Sequence, residues 1–575
     1  MKKTTTRLIS LGLLTIASLL SCSGNNNIAP FYTLDDKGEV SKSGEVPIYY
    51  PKNKDVPYIS LADGIAIANE LRSSTFDDKK YQYKMSQNED AAVIVDEKGT
   101  EATVDVVNQQ ITINNFDSFA VGYYDDQLPL MPVGINKDTK SIKLVKEESS
   151  YKAGEAVVFD FKNYPSITLE RGKADEGLLI PLAIFNDIFI TGGPGFKGLT
   201  YNYNNFYLAP EIVSLSTGTL SKIGKHYYET APVRKEISKE LASYVYDETM
   251  FAFDHFYGMK GIRKINSFKE FVKEKGLEND MLSGNIEKMN AAYATLSYKC
   301  LEDGHTAYLS PSFFTDLDHY KTKNEWKSKK MLKKQAENLQ MDEARRKDKI
   351  NKPFEVIDDT AFIFFDDFME IDEAKLYSSS YTEEDIRGNN TLLFAYAYKE
   401  IKKNPNIKNV VIDLVTNNGG DATGLVYCLG TLIGKHYIDL ANPLTGSLSH
   451  LTFETDINVD GKIDENDVPL CEDYNIYMLD SKFAFSCGNL FPVAAKYNND
   501  DVTILGDRTG GGTCVVSTTY NAFGAYIVRS GLMMLTKETE TGYTHIEDGA
   551  EVDIPIDYDE MLNRNYIVNV INAGN

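Results

Sequence analysis

Between Asn475 and Gly512 the chain reads NIYMLDSKFAFSCGNLFPVAAKYNNDDVTILGDRTGGG, and no other stretch restricts the fold as strongly. Ile476 to Leu479 is an apolar run of strand length, and Ser486 follows after a short turn. Leu490, Val493, Ala494 and Tyr497 then recur at spacings of three and four, the period of a helix with one apolar face. A second strand of buried type, Val502 to Leu505, runs into a glycine-rich turn. A hydroxyl at a strand-to-helix junction lies beside the free N–H groups of the first helical turn. Ser486 therefore reads either as a nucleophile next to an oxyanion site or as a plain N-cap.

A second stretch bears on that choice. Asn409 to Gly420 reads NVVIDLVTNNGG, a buried strand closed by Asn417, Asn418, Gly419 and Gly420. Glycines after a parallel strand let backbone N–H groups approach a ligand closely. Further strands and helices flank both stretches: Thr360 to Phe365 and Thr391 to Ile401 upstream, and a helix from Gly424 to Leu432 between them. Alternating strand and helix implies an α/β core with parallel pairs.

Together the two stretches resemble the tail-specific, or C-terminal processing, serine peptidases. The resemblance rests on Asp413, Leu414, Asn417, Gly419 and Gly420, then Ser486, then Gly506, Asp507, Thr509 and Gly511. It spans about residues 356 to 560. It implies that Ser486 is the nucleophile and that backbone N–H groups of Gly419 or Gly420 and of Cys487 hold the oxyanion. Val415 stands where the family has Arg, and Cys487, Gly488 and Asn489 stand where it has A-A-E. The family's usual lysine base falls at Gly512, and no lysine occurs between Lys496 and Lys537. A serine hydroxyl without a base in hydrogen-bond reach is a poor nucleophile. Asp303-Gly304-His305-Thr306 resembles the histidine motif of the tricorn-like branch, which makes His305 the expected general base. In the same branch a glutamate orients the site, and Glu547 is the matching residue. His305 is otherwise a structural histidine and Glu547 an exposed hairpin residue. His545 is an alternative base.

Asp456 to Asp467, DINVDGKIDEND, carries a different signal. Oxygen donors fall at Asp456, Asn458, Asp460, Asp464 and Asp467, with Gly461 at the sharp turn and the Lys462 carbonyl beside it. This is the spacing with which a twelve-residue loop wraps Ca²⁺. The last position is Asp rather than Glu, and Pro469 follows closely. The stretch reads as a structural calcium loop within an insertion at 440–470, or else as an acidic surface loop.

The start of the chain, MKKTTTRLISLGLLTIASLLSC, has a basic head and an apolar run too short for a comfortable membrane span. It resembles a bacterial lipoprotein leader ending at Cys22, the expected lipidation site. That implies a protein tethered to the cell envelope, at the outer membrane or cell surface. The net charge of −24 argues against nucleic acid as a partner. Five cysteines beyond Cys22 are scattered and form no CxxC pair, so neither a disulfide framework nor a zinc site is implied.

The expected organisation is a leader at 1–22 and a tether at 23–45. A mostly-β domain at 46–225 and a helical cap domain at 226–310 follow. A charged helical linker at 311–355 then leads to the catalytic core at 356–575. The linker is too short to hold a further domain of ordinary size. The expected function is a lipid-anchored serine endopeptidase acting on peptides or proteins. The alternative is a peptide- or glycan-binding surface protein on the same fold, without catalysis.

Overall fold

The computed structural model describes residues 27–574 except 35–36, 52–54, 77–81, 121–127, 132, 136–137, 174–175, 191–197, 209–219, 318–322, 348–351 and 541. The leader and Cys22 lie outside the described residues. No helix among the described residues is long and apolar enough to cross a membrane.

A six-stranded sheet carries the site. Its order is Phe354–Ile357, Thr360–Phe364, Asn409–Asp413, Asn475–Asp480, Thr503–Gly506 and Ile554–Pro555. The first two strands form an antiparallel pair, and every later pairing is parallel. Helices Asn390–Lys403, Ala422–Ile433 and Cys487–Asn498 make the crossovers. Both faces are covered, and the two-residue period of the strands divides the apolar side chains between them. Val410 and Ile412 pack into one core with the crossover helices. Val411 and Val415 face the other way, into a smaller core with Met341, Leu479, Ile567 and Ile571.

That second core includes the expected linker. The charged run folds as a helix, Lys329–Lys347, whose Met341 and Arg345 are buried. Arg345 donates to both carboxylate oxygens of Asp413 at 2.8 and 3.0 Å. Arg564, at the start of the C-terminal helix Arg564–Gly574, meets the same carboxylate at 2.7 Å. Burial opposes ionisation of Asp413, but the two guanidinium groups outweigh it and hold the carboxyl well below its ordinary range. The helix is thus strapped to the sheet by a buried ion triad.

A second, antiparallel sheet joins distant parts of the chain. Its order is Ala307–Ser310, Tyr526–Thr539, His436–Ala441, Leu448–Thr455 and Ile142–Leu144, with Cys514–Tyr520 also paired to Tyr526–Thr539. The pairing of Ala307–Ser310 with Tyr526–Thr539 brings the His305 segment to the catalytic core.

The N-terminal region is mostly β, with three short sheets among its described residues. Residues 27–45 do not form the expected tether. Strands Asn27–Leu34 and Val40–Ile48 pair with each other, and Ala29 and Phe31 are buried in the core. The tether reading gave weight to the polar residues and overlooked the apolar alternation that a strand needs. Ser166 to Leu169 is irregular, and a helix, Leu61–Phe76, stands within the β region. Helices Lys239–Phe256 and Ile286–Thr295 share one apolar core with these sheets, as the 5.7 Å ring contact of Phe159 with Phe251 illustrates.

Arg345→Ala leaves Asp413 buried with half of its compensation. Breaking such a pair costs about 3–5 kcal/mol, and urea unfolding should register a loss near the lower figure because Arg564 remains. Asp413 has a depressed folded-state pKa, so it stabilises the fold above the unfolded carboxylate range and ceases to as pH falls through the depressed value. Removing Arg345 raises that value. The acid-unfolding midpoint of the variant should therefore move to higher pH.

Candidate active site

Strands Asn409–Asp413 and Asn475–Asp480 run parallel with Asp413 opposite Leu479, so their following loops emerge at the same level. The loops bond directly, since Phe485 N–H donates to the Asn417 carbonyl at 3.0 Å. Ser486 is the residue before helix Cys487–Asn498, with φ 58° and ψ −120°. This backbone conformation is unusual for a side chain with a Cβ, and such residues concentrate at functional sites. The Ser486 side chain caps no helical N–H, which sets aside the N-cap reading. A Cβ built on Gly419 would lie 2.7 Å from the Ser486 Cβ and 2.9 Å from the Cys487 nitrogen. Gly419 itself has φ +102°, so this close approach requires glycine twice over. Gly512 closes the other side, where an added Cβ would lie 2.8 Å from the Ser486 nitrogen.

The N–H groups around Ser486 divide into used and free. Gly419 N–H donates to Asn417 Oδ1 at 2.9 Å, so of the two candidate glycines it is already engaged. The Gly419 carbonyl accepts from Phe368 N–H at 2.7 Å. In a trans peptide the next N–H points the opposite way, so Gly420 N–H is turned away from Phe368. The Ser486 carbonyl accepts from Asn489 and Leu490 within the helix, which turns Cys487 N–H outward from the helix start. Neither Gly420 N–H nor Cys487 N–H has an acceptor among the hydrogen bonds of the described residues. The Cys487 thiol is occupied structurally. It donates to the Gly420 carbonyl at 3.2 Å, and burial with the nearby Asp421 pushes its pKa up to about 12.

His305 reaches this cluster from the antiparallel sheet. Its ring packs on Phe485, the neighbour of Ser486, with centroids 4.7 Å apart. Its N–H donates to Asp303 at 3.0 Å, and Thr306 Oγ1 donates to the same carboxylate at 2.6 Å. His305 Nδ1 is buried and has no hydrogen-bond partner. Burial pushes the imidazole pKa down, against opposition from Asp303 and the Cys514 backbone. No hydrogen bond joins His305 to Ser486 among the described residues.

Glu547 does not bond Ser486 or His305. Its Oε2 accepts from Gly512 N–H at 2.8 Å and Thr513 N–H at 3.1 Å, which pins the glycine turn behind Ser486. Its carboxyl is raised by burial, with those two donors pulling the other way. Asn489, in the family's glutamate position, bonds Thr509 Oγ1 at 2.6 Å and the Ile546 carbonyl at 2.9 Å. His545 Nδ1 accepts from Glu547 N–H at 3.3 Å.

One residue of this neighbourhood was missed from the sequence. Lys334, on the strap helix, places its Nζ 5.2 Å from the Phe485 ring centre and 2.9 Å from a Cβ built on Gly510. The available signal was a stripe inside the charged run. Lys334, Glu337, Met341 and Arg345 follow one another at spacings of three, four and four, which is one helical face.

The loop at Asp456–Asp467 follows strand Leu448–Thr455, whose Thr455 lies against Gly430 of the Ala422–Ile433 helix. Asp456 accepts from Asp460 and Gly461 N–H groups at 3.2 and 2.8 Å and from Tyr377 Oη at 2.8 Å. Asp467 accepts from Ile457, Asn458 and Asp464 N–H groups. Asp456 is buried, and burial raises its pKa, with Asp467 adding to the effect. The donors are hard oxygens, the type calcium takes, and here those of Asp456 and Asp467 accept N–H groups and the Tyr377 hydroxyl. No group of three or more His, Cys, Asp or Glu side chains among the described residues is arranged as a metal cluster.

Comparison with known proteins follows the same part of the chain. No curated protein matches it. Among solved structures, a photosystem II D1 C-terminal processing protease is similar over 35% of this chain and 43% of its own, at 16% identity and TM-score 0.25. Mature CPAF complexed with lactacystin is similar over 37% and 50%, at 17% identity and TM-score 0.26. A candidate peptidase from Parabacteroides merdae is similar over 55% and 92%, at 12% identity and TM-score 0.34. The chain thus spans half or less of the first two proteins' own length. Residues 375–556, which hold Ser486, both glycine turns and Glu547, match the model of peptidase family S41.

Proposed function

We propose that the protein is a serine peptidase that cleaves peptide or protein substrates through an acyl-enzyme on Ser486. The observation that carries this reading is the left-handed Ser486 at a helix start, with Gly420 and Cys487 N–H groups unpaired beside it. Ser486 Oγ attacks the peptide carbonyl, and His305 takes its proton and returns it to the leaving amine. The two N–H groups hold the oxygen that gains charge, a contribution of about 3 kcal/mol per donor. Catalytic hydrogen bonds are often loose without substrate, so the missing Ser486–His305 bond is compatible with this assignment. Glu547 acts on the backbone, keeping Gly512 in place behind the serine. Phe485 separates His305 from bulk solvent on one side.

The envelope tether through Cys22 belongs to the same reading and rests on the leader alone. Metabolic labelling with an alkyne fatty acid should mark the wild-type chain and spare Cys22→Ser. Calcium at the 456–467 loop would be held by Asp456, Asn458, Asp460, Asp464, Asp467 and the Lys462 carbonyl. It would neutralise the buried Asp456 and stiffen the insertion. Adding Ca²⁺ should raise the melting temperature, EDTA should reverse the rise, and Asp456→Asn should abolish it. A melting curve indifferent to Ca²⁺ would leave an acidic surface loop.

Fluorophosphonate labelling tests the serine. Wild type should label, Ser486→Ala and His305→Ala should not, and Cys487→Ala should keep most of the label. Absence of label on folded wild type would favour the binding-protein alternative. Gly419→Ala should lose labelling and stability together, because its Cβ collides with Ser486. The pH profile of kcat/KM gives a further check. A base must be neutral to accept a proton, and burial lowers the His305 pKa, so the acid limb should lie below the ordinary imidazole value of about 6.5. Asp303 opposes that shift, so Asp303→Asn should move the limb to still lower pH.

A further inference from the structure

We propose that Lys334 is a carboxylate-binding residue of the Ser486 site, and that the preferred substrates are peptides with a carboxylate next to the scissile bond. The proposal rests on the peptidase reading above and adds the chemical class of substrate. It begins with the strap helix. Arg345 on Asp413 and Met341 in the smaller core fix its far end, and Glu337 ties its middle to Lys482 at 2.8 Å. Tyr558 Oη also donates to the Glu337 carbonyl at 2.9 Å. Lys334 projects from the same face, eleven residues before Arg345, or roughly 16 Å along the axis. The helix is therefore held at three points, and the position of Lys334 follows from them.

The amine sits in room that glycine provides. Its Nζ lies where a Gly510 side chain would stand, and it faces the ring of Phe485, the residue before Ser486. The neighbouring Lys333 and Lys482 share one acceptor, Glu337, at 3.8 and 2.8 Å, so their charge is only partly offset. Lys334 has no ion pair or hydrogen bond among the described residues. Burial pushes its pKa down, Lys330 and Lys482 add to the effect, and Glu547 opposes them. A half-buried ammonium with like charges around it gains more from an entering anion than a solvated one does.

The rest of the molecule makes this residue selective. With a net charge of −24, the chain repels an anionic peptide at long range. Attraction must then be local and short-ranged, at a cation fixed beside the reacting serine. The carboxylate comes either from an Asp or Glu side chain or from the substrate's own C-terminus.

Matched peptides decide between these sources and test the site. One set carries Asp or Glu against Asn or Gln, and the other a free C-terminus against an amide. For wild type, at least one set should show a preference of about tenfold or more in kcat/KM for the carboxylate member. The set that shows it names the source. Lys334→Met should reduce that preference below about twofold through KM, and Lys334→Arg should restore part of it. Equal loss on charged and neutral members, seen in kcat, would overturn the proposal and indicate a base or a structural part. Calorimetry with Ser486→Ala measures the same preference as binding, without turnover. A carboxylate preference in binding that Lys334→Met abolishes would support the proposal even if wild type neither labels nor hydrolyses, in which case the peptidase reading alone fails. No preference in either assay would overturn it.

Discussion

The carboxylate of Asp413 is buried at the end of a central strand, and the arrangement of the core follows from how it is compensated. An isolated charge there would be too costly to keep, so it must be paired from outside its own sheet. Val415, two residues on, is apolar and packs into the smaller core, so the cation does not come from the strand itself. It comes from Arg345 and Arg564, on helices that lie before and after the sheet in sequence. Each guanidinium also stacks on the sheet, Arg345 over Phe364 and Arg564 over Phe362, at 4.0 and 4.5 Å. One carboxylate thereby recruits two helices and fixes where each crosses the strands.

That anchoring connects to the site through two routes. Along the strand, Asp413 is followed by the Asn417–Gly420 loop, whose Asn417 carbonyl holds Phe485. Along the strap helix, Arg345 is followed backwards by Glu337, which grips Lys482, and then by Lys334 over Phe485. Both routes end on the same residue, the first on its backbone N–H and the second on its ring. His305 completes the contacts of that ring from a third direction, the antiparallel sheet. Phe485 is thus the point at which three parts of the chain meet, one residue from Ser486.

The elements legible in the sequence were those whose signal is local. Asn409–Asp413 was read to the residue, and the strand before Ser486 and the helix after it within one or two, because buried strands and amphipathic helices show their own period. Glycines around Ser486 pointed to a close backbone approach, and Gly419 and Gly512 make one. Long-range partners were not legible. The strap helix has a low apolar content, so its single buried methionine and arginine were lost among exposed lysines. Glu547 could be placed at the site by resemblance, but not its acceptance of the Gly512 and Thr513 N–H groups, which depends on a turn folded from another strand. Residues 27–45 look like a tether because their polar residues outweigh a short apolar alternation, and the partner strand Phe206–Leu208 lies far along the chain.

The departures from the family pattern are also physically connected. Where the pattern has a charged Arg and a lysine, this chain has Val415 and Gly512, and Val415 lies in the smaller core that the strap helix covers. Arg345 supplies a guanidinium to Asp413 from that helix. Lys334 supplies an amine beside the glycine turn, within reach of Gly510 rather than from Gly512 itself. Gly512 then serves a different end, since any side chain there would press on the Ser486 nitrogen and the Phe485 ring. A cation delivered by a separate helix need not hold the turn, which Glu547 holds instead. On the proposed roles, proton transfer at His305 and charge recognition at Lys334 fall on different elements, so one can be altered by mutation without the other.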